Sequence, residues 1–277
     1  MDKLANLVSV VRIVLPFFYW FSGIFYFVYF LKKKPKHGKV ASLSLLLTII
    51  LHTFYLVLKG VIFKYFPIIN VFEAFSVLAF AIAIIYFIVE TTTKVGTTGI
   101  FMVLIVCLLQ TISSSFTVNM ETMPKILKSN VLFFHTSSAI LAYTAFFMAT
   151  VYSTLFVTLF QNLKKSKFGL FFNRLPSLEA LDNMANRSMV IGVFFMALAI
   201  ILGSFWKKIQ LGLFFDWDPK IITAYFIFTI YIMILLGKKV FHWSRVQLSY
   251  FAIVGFLLII FSMTVVNFAT NSFHKFN

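Results

Sequence analysis

The sequence predicts an all-α protein, a polytopic integral membrane bundle of about eight transmembrane helices. Of its 277 residues, 61% are hydrophobic and only 12% are charged, which is far from the balance of a soluble domain. Apolar runs of about 17 residues or more recur along the whole length, and such runs are long enough to cross hydrocarbon as helices. Clusters of basic residues separate alternate pairs of runs, as topogenic charges do.

Eight apolar runs supply the elements, and they leave no room for a sizeable soluble domain. We therefore expect a single transmembrane domain over residues 1–277, with seven spans as the alternative because the fourth run contains Cys107 and Gln110. The first run is too long for a signal-peptide core and lacks a small-residue cleavage site, so we interpret it as an uncleaved span. The predicted spans are 13–31, 40–58, 71–89, 96–112, 131–160, 187–206, 221–236 and 246–268.

The basic residues orient the chain. Loops 32–39, 164–187 and 238–245 are rich in Lys and Arg, whereas the loops that alternate with them are poorer. The positive-inside rule places the rich loops in the cytoplasm, so both termini are expected outside. The net charge of +16 does not indicate nucleic-acid binding, because the basic residues lie in short clusters between apolar runs rather than on one soluble face.

The segment "LPSLEALDNMANR" before the sixth span predicts a short interfacial helix. Ser177 is placed to cap its start, and Leu178, Leu181 and Met184 recur at helical spacing. We interpret this helix as a connector between spans.

Two histidines are expected on the outer face. His135 falls near the outer end of the fifth span, and His274 lies just beyond the outer end of the eighth. A neutral imidazole offers a nitrogen lone pair to iron. His37 and His242 lie in basic inner loops and are assigned no cofactor. His52 lies inside the second span, where polar side chains are costly and tend to be functional, so a site role and a structural role both stay open.

The loop "FFDWDP" joins the sixth and seventh spans on that same outer face. Phe214, Phe215 and Trp217 could cover a flat macrocycle, although aromatic residues also anchor helices at membrane interfaces in general. Asp218 and Pro219 are placed as N-cap and first residue of the seventh span. The cap alone would explain Asp218, and losing it would cost about 1 kcal/mol and alter how the loop presents its aromatic rings.

No catalytic residue is assigned from the sequence. The single cysteine, Cys107, excludes a disulfide framework and a C-x-x-C-H haem attachment site on this chain. The sequence shows no Ser–His–Asp constellation, Walker loop, zinc spacing or paired acid–base carboxylates.

The stretch "GSFWKKIQLGLFFDWDPKIITAY" resembles the tryptophan-rich WWD signature of the haem-handling proteins of cytochrome c biogenesis, in particular the CcsA (ResC-like) component of system II. Similar segments follow the family order from about residue 40 to the C-terminus, namely "LHTFYLVLKG", "FPIINVFEAFS", "NVLFFHTSSAILAY", "LDNMANRSMVIGVFFMALAIILGSFW" and "NFATNSFHKF". Leu211 and Phe215 stand where family members usually show Trp, and Ile221 replaces a usual Glu. The residues that match the signature are Trp206, Gly212, Trp217, Asp218, Pro219 and Lys220.

This resemblance implies that haem b binds transiently on the outer face, with its iron held by His135 and His274. Its ring would rest against the aromatic-rich segment 206–220, including Trp206. The resemblance implies two partners. A ResB/CcsB-like membrane protein would form a cytochrome c synthase (haem lyase) with this chain, and an apocytochrome c with a C-x-x-C-H motif would receive the haem. The implied location is a bacterial cytoplasmic membrane or a thylakoid-type membrane, with the haem site on the periplasmic or lumenal face.

Two other function classes remain open. A membrane b-type electron-transfer cytochrome would need two histidines facing each other across spans at similar depth, and His52 has no evident partner of that kind. A transporter or lipid-handling protein without haem would use the aromatic loop only as an interfacial anchor.

Overall fold

The computed structural model describes residues 2–63, 68, 70–116, 129–212 and 219–262, and in these ranges it consists of helices joined by short connections, with no strand. The all-α fold class and the helical bundle are therefore confirmed. The helices in these ranges are α1 (Asp2–Lys32), α2 (Pro35–Phe63), α3 (Val71–Thr93), α4 (Gly99–Ser115), α5 (Asn130–Lys164), α6 (Leu170–Arg174), α7 (Leu178–Leu211), α8 (Pro219–Val240) and α9 (Arg245–Phe261).

Each of the eight predicted spans overlaps a helix, although residues 263–268 of the eighth lie outside the described residues. Six helices, α1, α2, α3, α5, α7 and α8, are long and apolar enough to cross a membrane, and α4 and α9 are shorter apolar helices. Cys107 and Gln110, which made the fourth span doubtful, are both fully buried inside the protein, so the polarity of Gln110 is not presented to lipid. The described helices thus provide six to eight spans.

The predicted interfacial helix is not a separate element. Ser177 caps a helix as expected, since its hydroxyl accepts a hydrogen bond from the Ala180 amide at 3.2 Å. That helix is α7, however, and it continues without a break through the sixth span to Leu211. No proline lies between Ser177 and Leu211. The polar residues around Asn183 do not stop the helix, because the neighbouring Leu181 and Met184 are buried. The short helix of this region is instead α6.

The chain divides into two compact units. The N-terminal unit comprises Met1–Met123 and Asn173–Pro176, and the C-terminal unit comprises Pro124–Phe172 and Ser177–Asn277. In the N-terminal unit α1 packs against α2 and α4, and α3 packs against α2 and α4. In the C-terminal unit α5 packs most extensively against α7 and also against α9, while α8 packs against α7 and α9. A single haem-handling domain over 1–277 stays a prediction.

One aromatic pair lies at the centre of the C-terminal unit. Phe146 of α5 and Tyr231 of α8 are fully buried, and their rings are stacked with centroids 3.7 Å apart. Gly192 of α7 lies directly against the Phe146 ring, and Gly255 of α9 leaves its Cβ position only 3.3 Å from the Tyr231 ring. The four helices can meet here because two of them carry no side chain at the contact.

We expect the substitution Gly192→Ala to destabilise the protein. A glycine-to-alanine change inside a helix normally stabilises it by up to about 1 kcal/mol. At this position the added Cβ would overlap the Phe146 ring, and overpacking of a core typically costs about 1–3 kcal/mol. The midpoint of thermal unfolding in detergent should fall. Gly169→Ala is the control, because a Cβ there meets nothing within 4 Å; a Gly192→Ala midpoint equal to or above wild type would contradict this account.

Candidate functional site

Three of the predicted cofactor residues are described by the structure. His52 lies in the N-terminal unit, and His135 and Trp206 lie in the C-terminal unit. The remaining predicted residues lie outside the described residues: Phe214, Phe215, Trp217, Asp218 and His274.

α7 continues five residues beyond the predicted end of the sixth span at residue 206, whereas α8 begins at the predicted residue. α7 ends at Leu211, and Gly212 follows in the left-handed conformation, with φ 75° and its amide bonded to the Lys208 carbonyl at 3.0 Å. This conformation favours glycine at a helix end. α8 begins at Pro219, as predicted. Residues 213–218, between these two helices, lie outside the described residues.

His135 lies in the second turn of α5 and bonds to the backbone of α7. Its Nδ1 atom is 2.7 Å from the carbonyl oxygen of Ala199. A carbonyl oxygen can only accept, so Nδ1 carries the ring proton and donates it. The lone pair of the neutral imidazole is then on Nε2. Histidines that bind metals commonly donate their other ring N–H in this way, which orients the ring and raises its basicity as a ligand.

The ring of His135 also packs directly on α7 at Gly203. A Cβ atom at position 203 would lie 2.8 Å from Cε1 and 2.9 Å from Nδ1 of His135, closer than ordinary van der Waals contact allows. The Nδ1–Cε1 edge therefore faces Gly203. This contact and the bond to Ala199 place the imidazole at the α7 end that precedes the aromatic-rich loop.

Trp206 adds a hydrogen-bond donor on the same face of α7. It follows Ala199 by seven residues, which is about two helical turns. Its indole Nε1 atom is buried and has no hydrogen-bond partner among the residues that the structure describes, and a buried donor left unpaired costs about 1–3 kcal/mol. An imidazole lone pair and a buried N–H donor fit an iron porphyrin, which needs an axial nitrogen ligand and carries carboxylates that accept hydrogen bonds.

His52, in contrast, is fully occupied by hydrogen bonds within the N-terminal unit. The side chain is 0% exposed. Its Nδ1 is 2.9 Å from the Tyr19 hydroxyl, and its Nε2 is 3.1 Å from the Ser76 hydroxyl. Ser76 donates its own proton to Gln110 Oε1 at 3.0 Å, so it accepts from His52, and Nε2 carries the proton. Tyr19 must then donate to Nδ1.

The hydrogen-bond chain continues in one direction across the unit. Gln110 Nε2 donates to the Ser114 hydroxyl at 3.1 Å, and Ser114 donates to the Arg12 carbonyl at 2.9 Å. The chain therefore connects α1, α2, α3 and α4. As long as Tyr19 donates to Nδ1, neither nitrogen of His52 has a lone pair for iron, and its cofactor role stays a prediction. The sequence analysis missed Tyr19, Ser76 and Ser114, because their partners are remote in sequence.

Two acidic residues of the N-terminal unit, Glu73 and Glu90, are buried, and both have partners. Glu73 forms an ion pair with Lys59, with Oε1 and Nζ 2.7 Å apart and both side chains largely buried. Glu90 accepts a hydrogen bond from the Tyr26 hydroxyl. Within the described ranges no group of three or more His, Cys, Asp or Glu side chains could hold a metal ion. These carboxylates are thus accounted for by structural contacts.

The sequence of the chain is similar to that of several known proteins. The family model described as "Cytochrome C assembly protein" matches residues 68–274, a region that includes both His135 and His274. A relative named protein HemX from Brevibacillus brevis is 28% identical over 93% of this chain and 94% of its own length. Protein HemX from Bacillus subtilis (strain 168) is 30% identical over 77% of this chain and 78% of its own length. The cytochrome c biogenesis protein CcsA from Trieres chinensis is 24% identical over 98% and 96%.

The hydrogen-bond chain around His52 generates a stability prediction. Ser76→Ala would leave the His52 Nε2–H and the Gln110 carbonyl oxygen without partners in a buried site, and we expect a loss of about 1–2 kcal/mol in the free energy of unfolding. Unfolding in detergent with increasing SDS would measure it. Ser115→Ala is the matched control, because that serine is exposed and only bonds the Thr111 carbonyl of its own helix. Equal effects of the two changes would show that the chain contributes nothing.

Proposed function

Because the chain belongs to the cytochrome c assembly protein family, which supports a role in cytochrome c biogenesis, we propose that it is the haem-binding membrane subunit of a cytochrome c synthase. In this proposal the protein presents haem b on the outer face of the membrane for covalent attachment to apocytochrome c. His135 and His274 are the axial ligands of the iron, and the aromatic-rich loop after α7 covers the ring.

The observation that carries this proposal is the state of the His135 imidazole. Its Nδ1–H is donated to the Ala199 carbonyl, so Nε2 holds the lone pair that an iron atom requires. The ring does not have to change its tautomer when a ligand arrives. Because Gly203 allows close packing, the imidazole is also held in place before binding, which lowers the ordering cost that a mobile ligand side chain would incur.

The buried indole N–H of Trp206 would hold a haem propionate. It is a donor without an acceptor, and hydrogen bonds to a charged acceptor are about twice as strong as neutral ones. Leu211 and Phe215 stand where relatives resembling this chain usually show Trp, so two indole donors of the signature are absent. Trp206 would accordingly carry a larger share of the polar contacts to the cofactor.

This chain supplies position and orientation, and the assembled complex performs the attachment. The chemistry that haem supplies when bound is its pair of vinyl groups, to which the thiols of a C-x-x-C-H motif add as thioethers. No residue of this chain is assigned to that bond-forming step. A ResB/CcsB-like membrane protein is the proposed partner, and the proposed location is a bacterial cytoplasmic membrane or a thylakoid-type membrane.

The distribution of charge supports an outward site. The basic clusters at Lys32–Lys39 and around Arg245 favour a cytoplasmic position for the end of α1 and the start of α9. By alternation, the start of α5 with His135 and the end of α7 with Trp206 would then lie outside. Within the C-terminal unit these two ends are adjacent, since His135 bonds to Ala199.

We expect His135→Ala combined with His274→Ala to abolish haem binding without loss of membrane insertion. Removal of both imidazoles leaves the iron without axial nitrogen ligands. The measurement is the haem content of the purified protein by its pyridine haemochrome spectrum, with chain abundance determined on the same sample. His242→Ala is the control, because His242 is exposed at the start of the α8–α9 connection. A wild-type haem spectrum in the double variant would reject both ligands. If the wild-type protein itself contains and binds no haem, the result would favour a haem-free transporter.

Trp206→Phe should weaken haem binding while the fold is kept. Phenylalanine preserves an aromatic ring but removes the N–H donor, and a hydrogen bond to a charged group contributes about 1.5–3 kcal/mol, so the affinity should fall about tenfold or more. Titration of haem into the purified protein measures this change. Haem dimethyl ester, which lacks the propionate charge, should bind the variant and the wild type equally well; a weaker affinity of the variant for both compounds would show that the indole acts by packing.

A further inference from the structure

The face of α7 that meets His135 is made of two small residues one turn apart, Ala199 and Gly203. In an α-helix the amide of residue 203 bonds the carbonyl of residue 199, so the Ala199 oxygen accepts from its own helix and also from His135 Nδ1 at 2.7 Å. A carbonyl oxygen has two lone pairs and can accept both bonds. The second bond requires that a side chain from another helix can reach this oxygen.

Gly203 makes that approach possible. Side chains in a helix tilt toward its N-terminus, so the residue at i+4 covers the turn that contains the carbonyl of residue i. Position 203 is the i+4 position for Ala199, and any Cβ there would stand 2.8–2.9 Å from the imidazole. The absence of a side chain at 203 thus uncovers the carbonyl at 199.

From this geometry we propose that Gly203 is a positioning residue for the iron ligand His135. By uncovering the Ala199 carbonyl it fixes the ring proton on Nδ1 and presents Nε2 as the free nitrogen. The part of this proposal that concerns iron rests on the proposed function, whereas the part that concerns the proton can be tested without haem. Ala199 takes part through its backbone only.

A purely structural role predicts something different. Two small residues separated by three others also allow helices to approach closely in a membrane, and Gly203 could serve only that purpose between α5 and α7. Gly192 offers the matched comparison, because it lies eleven residues earlier on nearly the same face of α7 and packs against Phe146 of the same α5. Gly192→Ala therefore disturbs α5–α7 packing without touching His135.

The first experiment uses the full-length protein without haem, purified in detergent with 15N-labelled histidine. Only five histidines are present, so the His135 resonances are assigned by comparison with His135→Gln. The wild type and Gly192→Ala should both show the proton on Nδ1 of His135. Gly203→Ala should lose that signature. A wild-type His135 protonated on Nε2 would overturn the proposal without any variant, and so would an unchanged Nδ1–H signal in Gly203→Ala.

The second experiment adds haem to the same three proteins. Loss of a partner that orients a metal ligand typically lowers the affinity for the metal about 10–100-fold. Gly203→Ala should therefore bind haem at least about tenfold more weakly than the wild type. Added imidazole should restore the wild-type absorption spectrum of this variant. Gly192→Ala should keep wild-type affinity even if its unfolding midpoint falls. Equal affinities in Gly203→Ala and Gly192→Ala would overturn the positioning role. If His135→Ala itself keeps full haem affinity, the proposed function has failed at this ligand, while the 15N measurement still decides whether α7 sets the tautomer.

Discussion

The constraint on which this structure depends is that a polar group inside hydrocarbon must find its partner within the protein. Around His52 the N-terminal unit satisfies it with a directed series of hydrogen bonds. Once Ser76 gives its proton to Gln110, the protonation of His52 is determined, and the role of Tyr19 as donor follows. Each group has one available orientation, so the series links four helices in one register and leaves His52 no free nitrogen. An intramembrane histidine can therefore be wholly structural.

The C-terminal unit treats its polar groups differently. His135 uses only one of its two nitrogens, and the indole N–H of Trp206 uses none of its bonding capacity. His135, on α5, bonds to Ala199 of α7, and Trp206 lies about two turns further along α7. A buried donor left unpaired is costly for stability, and functional sites are where proteins retain such local violations. His52 and His135 differ in the number of nitrogens that are hydrogen-bonded, and this difference follows from the groups that surround each ring.

The chain belongs to the cytochrome c assembly protein family, and its relatives carry two different names. The chain is similar along nearly its whole length to proteins named HemX and to cytochrome c biogenesis proteins named CcsA. In this chain α7 is followed by Gly212 in the left-handed conformation and α8 begins at Pro219, so both described boundaries lie at residues that are typical of helix ends.

Local patterns in the sequence were sufficient for the helices and several of their ends. Continuous apolar runs predict the spans, Ser177 predicts a helix start and Pro219 predicts another, because hydropathy and capping act between residues close in the chain. The same local reasoning was wrong in separating an interfacial helix from α7, since nothing between Ser177 and the sixth span is strong enough to end a helix. What only the tertiary structure decided is which nitrogens of His52 and His135 are engaged in hydrogen bonds. The partners of His52 are 33 and 24 residues away and that of His135 is 64 residues away, and helix packing alone brings such groups within hydrogen-bonding distance.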